Sequence, residues 1–189
     1  MKHLKVLIIL LIIAKSAYSQ DCSQLNTRVN NDYSYSNDTE GLALPFNDEW
    51  SIILENKQAI IVALAEKNQL GFASIVKSRN GYKIDSAYDI SDKMVDDLFL
   101  KAAVDIEYKV VTKTYVRNIK ALQVEFDYDV RNINEIVKVK GLAYFIVKDY
   151  DTYIFMFNCQ PTMRKCFFPF YKEIMKNAWF EPEWFGKNN

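Results

Sequence analysis

The sequence predicts an α+β fold: a largely antiparallel β-sheet with one central helix and one C-terminal helix packed on it. Three observations carry that expectation. Short β-branched and aliphatic runs between 42 and 88 alternate with turn-forming residues. Four longer strand-like stretches fill 108–158. Only two segments, 91–104 and the stretch after Pro169, repeat their apolar residues at helical spacing.

In chain order, Trp50 to Leu54, Gln58 to Ala65 and Gly71 to Lys77 are the first strands, separated by Glu55-Asn56-Lys57 and by Glu66 to Gln69 at hairpin spacing. Arg79-Asn80-Gly81 signals a further turn, and Tyr82 to Tyr88 reads as a strand. Ser91 or Asp89 can cap the helix that follows, where Met94, Val95, Leu98, Ala102 and Ala103 share a face and Asp96, Asp97 and Lys101 point outward. Acids at its start and Lys101 near its end suit the helix dipole. Then come Tyr108 to Val116, Lys120 to Val130, Glu135 to Val147 and Tyr153 to Asn158, with turns at Asn118, Asn132 to Asn134 and Lys148 to Asp151. Pro169 suits a first helical position, Phe170, Tyr171, Ile174 and Ala178 form the apolar stripe, and Pro182 stops the helix. No repeat or linker divides the chain, so 41–185 reads as a single domain and 186–189 as a tail.

The N-terminus reads as a signal peptide over 1–19. Lys2, His3 and Lys5 precede the apolar run Val6 to Ala14, and Ala17 and Ser19 occupy the −3 and −1 positions of a cut before Gln20. The run is shorter than the roughly 20 residues a membrane-spanning helix needs. Lipidation requires a cysteine directly after the cut, whereas Cys22 follows Ser19-Gln20-Asp21, so no membrane anchor is expected in the mature chain. The implied address is secreted or periplasmic. Residues 20–40 are polar and read as a flexible lead, with a glycosylation triplet at Asn37-Asp38-Thr39.

Cleavage changes the chemistry of the chain. The full sequence balances 24 Lys+Arg against 24 Asp+Glu, and Lys2, Lys5 and Lys15 leave with the signal. The mildly acidic remainder offers no footprint for nucleic acid. The one histidine, His3, leaves too. That removes Ser-His-Asp and Cys-His activation and His-ligated zinc. No cofactor, metal ligand or catalytic residue is indicated. Carboxylates are plentiful at Asp48-Glu49, Asp96-Asp97, Glu125/Asp127/Asp129 and Asp149/Asp151, but Glu125, Asp127 and Asp129 alternate with Val124, Phe126, Tyr128 and Val130 as the solvated side of a strand does. A carboxylate-dependent hydrolase acting on glycans, which needs two acids with separated pKa values, is the alternative to a binding role. A carrier of a small lipophilic ligand is a further one.

Three cysteines, Cys22, Cys159 and Cys166, allow one bridge in three pairings. Cys159–Cys166, close in sequence, is the favoured pair, with Cys22 left in the lead. Trp179, Phe180, Trp184 and Phe185 are candidates for a partner-contact surface, the other reading being that they complete the core.

The segment Leu44-Pro45-Phe46-Asn47-Asp48-Glu49-Trp50, the helix at 91–104, the meander at 108–158 and the closing Phe170…Ile174…Trp179-Phe180 resemble the PsbP/Mog1-like fold, including its DcrB-type exported bacterial proteins, over about 42–181. Glu49 stands where that family usually has glycine before the tryptophan, and Trp179 where it has serine. The resemblance implies an accessory, assembly or chaperone-like role without catalysis, with a protein partner bound through the sheet face or its edges. It supplies no catalytic residues to carry over.

Overall fold

A computed structural model describes residues 22, 25–29, 35–57, 59–79, 84–99, 105–131 and 136–185. Seven strands form one antiparallel sheet in the order β3 (Trp50–Lys57), β4 (Ile60–Glu66), β5 (Gly71–Arg79), β9 (Asp151–Cys159), β8 (Ile136–Lys148), β7 (Ile119–Arg131), β6 (Asp105–Val116). A second, three-stranded sheet joins β1 (Tyr35–Asn37), β2 (Leu42–Leu44) and β10 (Trp179–Phe180), with β2 in the middle. The helices are α1 (Asp92–Phe99) and α2 (Arg164–Asn177). The fold is therefore α+β and largely antiparallel. The signal segment and its cut, the 186–189 tail, the turns at Asn80-Gly81 and Asn132 to Asn134, and residues 100–104 of the expected central helix lie outside the described residues.

The large sheet is covered on both faces, which is why β4 and the middle of β8 read as unbroken apolar runs. One face packs Val62, Ile75, Leu142, Phe155 and Phe157 beneath Phe167, Tyr171 and Ile174 of α2 and beneath the small sheet. The other packs Val124, Phe126, Phe145 and Ile154 beneath Ile84, Ala87, Ile90 and Val95. β7 shows the division: Leu122, Val124, Phe126 and Tyr128 belong to the second core, and Gln123 and Glu125 face α2.

Four expectations are corrected. First, Tyr82 to Tyr88 does not continue as a strand: Ser86 Oγ accepts from Tyr88 N at 3.2 Å and opens a 3₁₀ turn over Ala87–Asp89. Ile84, Ala87 and Ile90, three apart, bury on the sheet, so a local serine cap overrides the β-propensity of the run. Second, Pro169 lies inside α2, not at its start. The 3₁₀ turn Pro161–Met163 leads the helix in, and exposed Pro169 forfeits one backbone bond while Phe167, Phe168, Phe170 and Tyr171 around it are buried.

Third, the bridge is Cys22–Cys166, 144 residues apart with Cα atoms 5.4 Å from each other, and Cys159 is a buried free thiol. β9 stays regular through Cys159, paired with Gly71 on one side and Lys140 on the other, which holds that side chain in the core layer. Fourth, the lead is partly built into the fold. Leu25 and Val29 pack on the core, Asn47 Nδ2 donates to the carbonyls of Asn26 at 2.7 Å and Arg28 at 2.9 Å, and residues 35–37 pair with β2.

Candidate binding cleft

The β6–β7 hairpin closes on Arg117-Asn118, both with positive φ (49° and 72°), the left-handed pair that a two-residue hairpin turn demands. Facing it, α2 presents Lys172, Met175 and Lys176, which share one helix face. Between them opens a cleft of about 380 Å³, lined also by Thr114, Tyr115, Val116, Gln123 and Tyr144.

Its polar floor is a chain of hydrogen bonds. Tyr144 O–H donates to Gln123 Oε1 at 3.1 Å, Gln123 Nε2 donates to Glu125 Oε1 at 3.4 Å, and Glu125 also accepts from Lys172 Nζ at 2.9 Å and Arg164 Nη2 at 2.8 Å. Burial raises the affinity of Glu125 for a proton, but Lys172 and Arg164 outweigh it and hold the carboxyl below its ordinary value. Burial and the nearby Glu125 charge push the Tyr144 hydroxyl well above its ordinary range, so it stays protonated. The charged residues of the wall are Arg117, Lys172 and Lys176; no carboxylate lines it. Glu125, beneath the wall, balances one of these cations, and Lys176 makes a looser pair with Glu173 at 3.4 Å. Among the described residues Arg117 has no ion pair. The cleft can therefore hold an anionic group by charge and by hydrogen bonds.

Hydrolytic chemistry finds little support. Glu40, Glu125 and Glu173 are the carboxyls with displaced proton affinity among the described residues, and each is lowered, the reverse of what a general acid requires. Burial pushes the Cys159 thiol up to about 12, out of the reactive range. Asp127 pairs with Lys140. Glu125 and Asp127 of β7 thus sit half-buried and ion-paired, where the alternation of the strand suggests open solvent.

The C-terminal aromatics divide. Phe180 packs edge-on against Phe155 at 6.0 Å and against Trp184 at 4.8 Å. Trp184 is 2% exposed; its Nε1 donates to the Glu40 carbonyl at 2.9 Å and its ring lies 4.6 Å from Tyr153. Phe185 is half-buried on the same core. Phe180 and Trp184 are thus core residues, and Trp179, 53% exposed, is the one of the four that presents its ring to solvent. Sequence reasoning singled out none of the cleft residues. The available signals were the Arg-Asn hairpin turn and the Lys172/Lys176 spacing, both common on any protein surface.

No protein-family model and no curated protein matches the chain. The fold is similar to the solution structure of cyanobacterial PsbP (CyanoP) from Synechocystis sp. PCC 6803, with a TM-score of 0.53 and 9% identity over 78% of this chain and 91% of that one. It is likewise similar to LpqN, involved in cell envelope biogenesis of Mycobacterium tuberculosis, with a TM-score of 0.51 and 13% identity over 75% of this chain and 83% of that one. Element order, the two-faced antiparallel sheet and these two structures agree: the chain has the PsbP/Mog1-like fold.

Proposed function

We propose that this chain is an exported, non-catalytic accessory domain that holds a protein partner, with the cleft between the β6–β7 hairpin and α2 as its contact site. The observation that carries the reading is the composition of the cleft wall: the cations Arg117, Lys172 and Lys176 with the hydroxyls of Thr114, Tyr115 and Tyr144 and the amides of Asn118 and Gln123, without a carboxylate. A wall of this kind recognises an acidic group and carries no carboxylate, histidine or cysteine to act on it. The same composition weighs against the lipophilic carrier, which needs an apolar cavity. Export is supported by the Cys22–Cys166 bridge, since disulfides persist in oxidising compartments, and by the signal-like N-terminus. The involvement of LpqN in cell envelope biogenesis agrees with that address.

The experiment is crosslinking in the native host with the wild type and with the double variant Arg117→Glu/Lys176→Glu. Both substitutions lie at exposed positions and should leave the melting temperature within a degree or two of wild type. A partner captured by the wild type and lost by the equally stable variant supports the reading. Equal capture by both removes the cleft from it.

A further inference from the structure

Resting on that reading, we propose that the bound segment is an extended acidic peptide that adds to the sheet along the outer edge of β6 and places a carboxylate in the cleft at the end of that strand. β6 is the last strand of the seven-stranded sheet and runs for 12 residues. It pairs with β7 on one side, and among the described residues no strand covers the other. An uncovered edge offers a row of backbone donors and acceptors, the template that strand addition uses.

The two edges of the sheet are not equally available. β3 is shorter, breaks register between Ile52 and Leu54, and carries Asn56 at φ 50°, all of which blunt an edge. β6 shifts register too, between Ile106 and Tyr108, but from Tyr108 to Val116 its pairing is unbroken, and the strand contains no proline. It also ends at the cleft, whose wall includes Thr114, Tyr115 and Val116 themselves.

Charge selects the occupant. From 109 to 118 the chain reads Lys-Val-Val-Thr-Lys-Thr-Tyr-Val-Arg-Asn without an acid, Asp105 and Glu107 lying earlier in the strand; Lys109 is paired with Asp96, which leaves Lys113 and Arg117 for an occupant. A second copy of β6 laid antiparallel on the first brings these lysines together, which is unfavourable across a strand pair. An acidic strand meets them instead. A carboxylate on the face shared by Thr114 and Val116 points at Lys172 and Lys176, and a second one on the opposite face meets Lys113. Val110, partly exposed on the α2 face, offers an apolar contact further along.

The test uses the oxidised full chain and three short acetylated peptides: one alternating glutamate with threonine and valine, its glutamine counterpart, and the acidic sequence N-methylated at alternate backbone positions. Binding is read by amide chemical shifts and by hydrogen exchange. The acidic peptide is expected to slow exchange of β6 amides between 108 and 116 and to shift Arg117. The glutamine peptide should bind about tenfold more weakly, as should the acidic one to Arg117→Glu/Lys176→Glu. N-methylation should abolish the β6 protection, because it removes strand pairing and keeps the charge. If the N-methylated peptide binds as well as its parent, or β6 exchange is unchanged while the cleft responds, strand addition is refuted and the cleft reading stands. If neither the cleft nor β6 responds to the acidic peptide, the inference falls, and the crosslinking experiment decides separately whether the cleft reading falls with it.

Discussion

Gly141→Ala adds a single methyl group at the most crowded point of the sheet. Gly141 on β8 lies directly opposite Phe126 of β7, and the phenyl ring covers it. A Cβ at 141 sits 2.1, 2.3 and 2.6 Å from three ring carbons of Phe126. Carbon atoms settle at about 3.5–4.0 Å, so the ring must retreat by roughly 1.4 Å or more from its nearest contact at 2.1 Å. It has nowhere to go, being 2% exposed and stacked on Tyr128 at 5.5 Å. Overpacking of this kind costs about 1–3 kcal/mol, and losing glycine's freedom in the unfolded chain returns about 0.4–1 kcal/mol. The expected net loss is about 1–2 kcal/mol, a melting shift of roughly 2–8 °C for a chain of this size. Urea titration with the disulfide intact measures it. The control is Phe126→Leu, which destabilises alone by leaving a void. Combined with Gly141→Ala, the added methyl enters space the ring has vacated, and the double variant should be more stable than additivity predicts by about 1 kcal/mol. A single variant within about 0.5 kcal/mol of wild type, or a strictly additive pair, refutes the reasoning.

Cys22→Ser should lower stability by about 3–5 kcal/mol, since the bridge closes a 144-residue separation, and the loss should vanish when both proteins are compared under reducing conditions. Gln69→Gly should stabilise the fold by about 1 kcal/mol in urea, because Gln69 is exposed at φ 59° in the turn that the buried Glu66 carboxylate caps through the amides of Asn68 and Leu70. Burial raises the proton affinity of Glu40, but the Tyr153 hydroxyl and Lys77 outweigh it and leave the carboxyl below its ordinary value. That contribution is present above the unfolded carboxylate pKa of about 4.3 and is lost as pH falls below it, so Glu40→Gln should reduce the acid-side fall in denaturation midpoint.

The meander was legible because its signals are local. Strict alternation in β7 and the turns at Arg117-Asn118 and Asp149-Tyr150, all four residues at positive φ, mark strands and hairpins without knowledge of the rest of the chain. Tyr82 to Tyr88 misled for a local reason as well, since one serine hydroxyl sufficed to divert the run into a turn. Other features depend on distant partners. Trp179 and Trp184 are neighbours of like composition, and what separates exposed from buried is a carbonyl at Glu40. The cysteine pairing failed in the same way, because closeness in sequence ranks below the path of residues 22–29 over the core. Arg117, Gln123, Tyr144 and Lys172 meet only once the hairpin and α2 are in place, so no window of sequence contains the cleft.

The small sheet sets an order in time. Its middle strand, β2, pairs with β1 before it in the chain and with β10 near the end, and the Glu40 carbonyl beside it waits for the indole of Trp184. Cys22 waits for Cys166. A chain made N-terminus first can assemble the large sheet from what has emerged, but β2 stays unpaired on one side until Trp179 and Phe180 arrive. The small sheet is thereby finished only after every strand of the large one has been made.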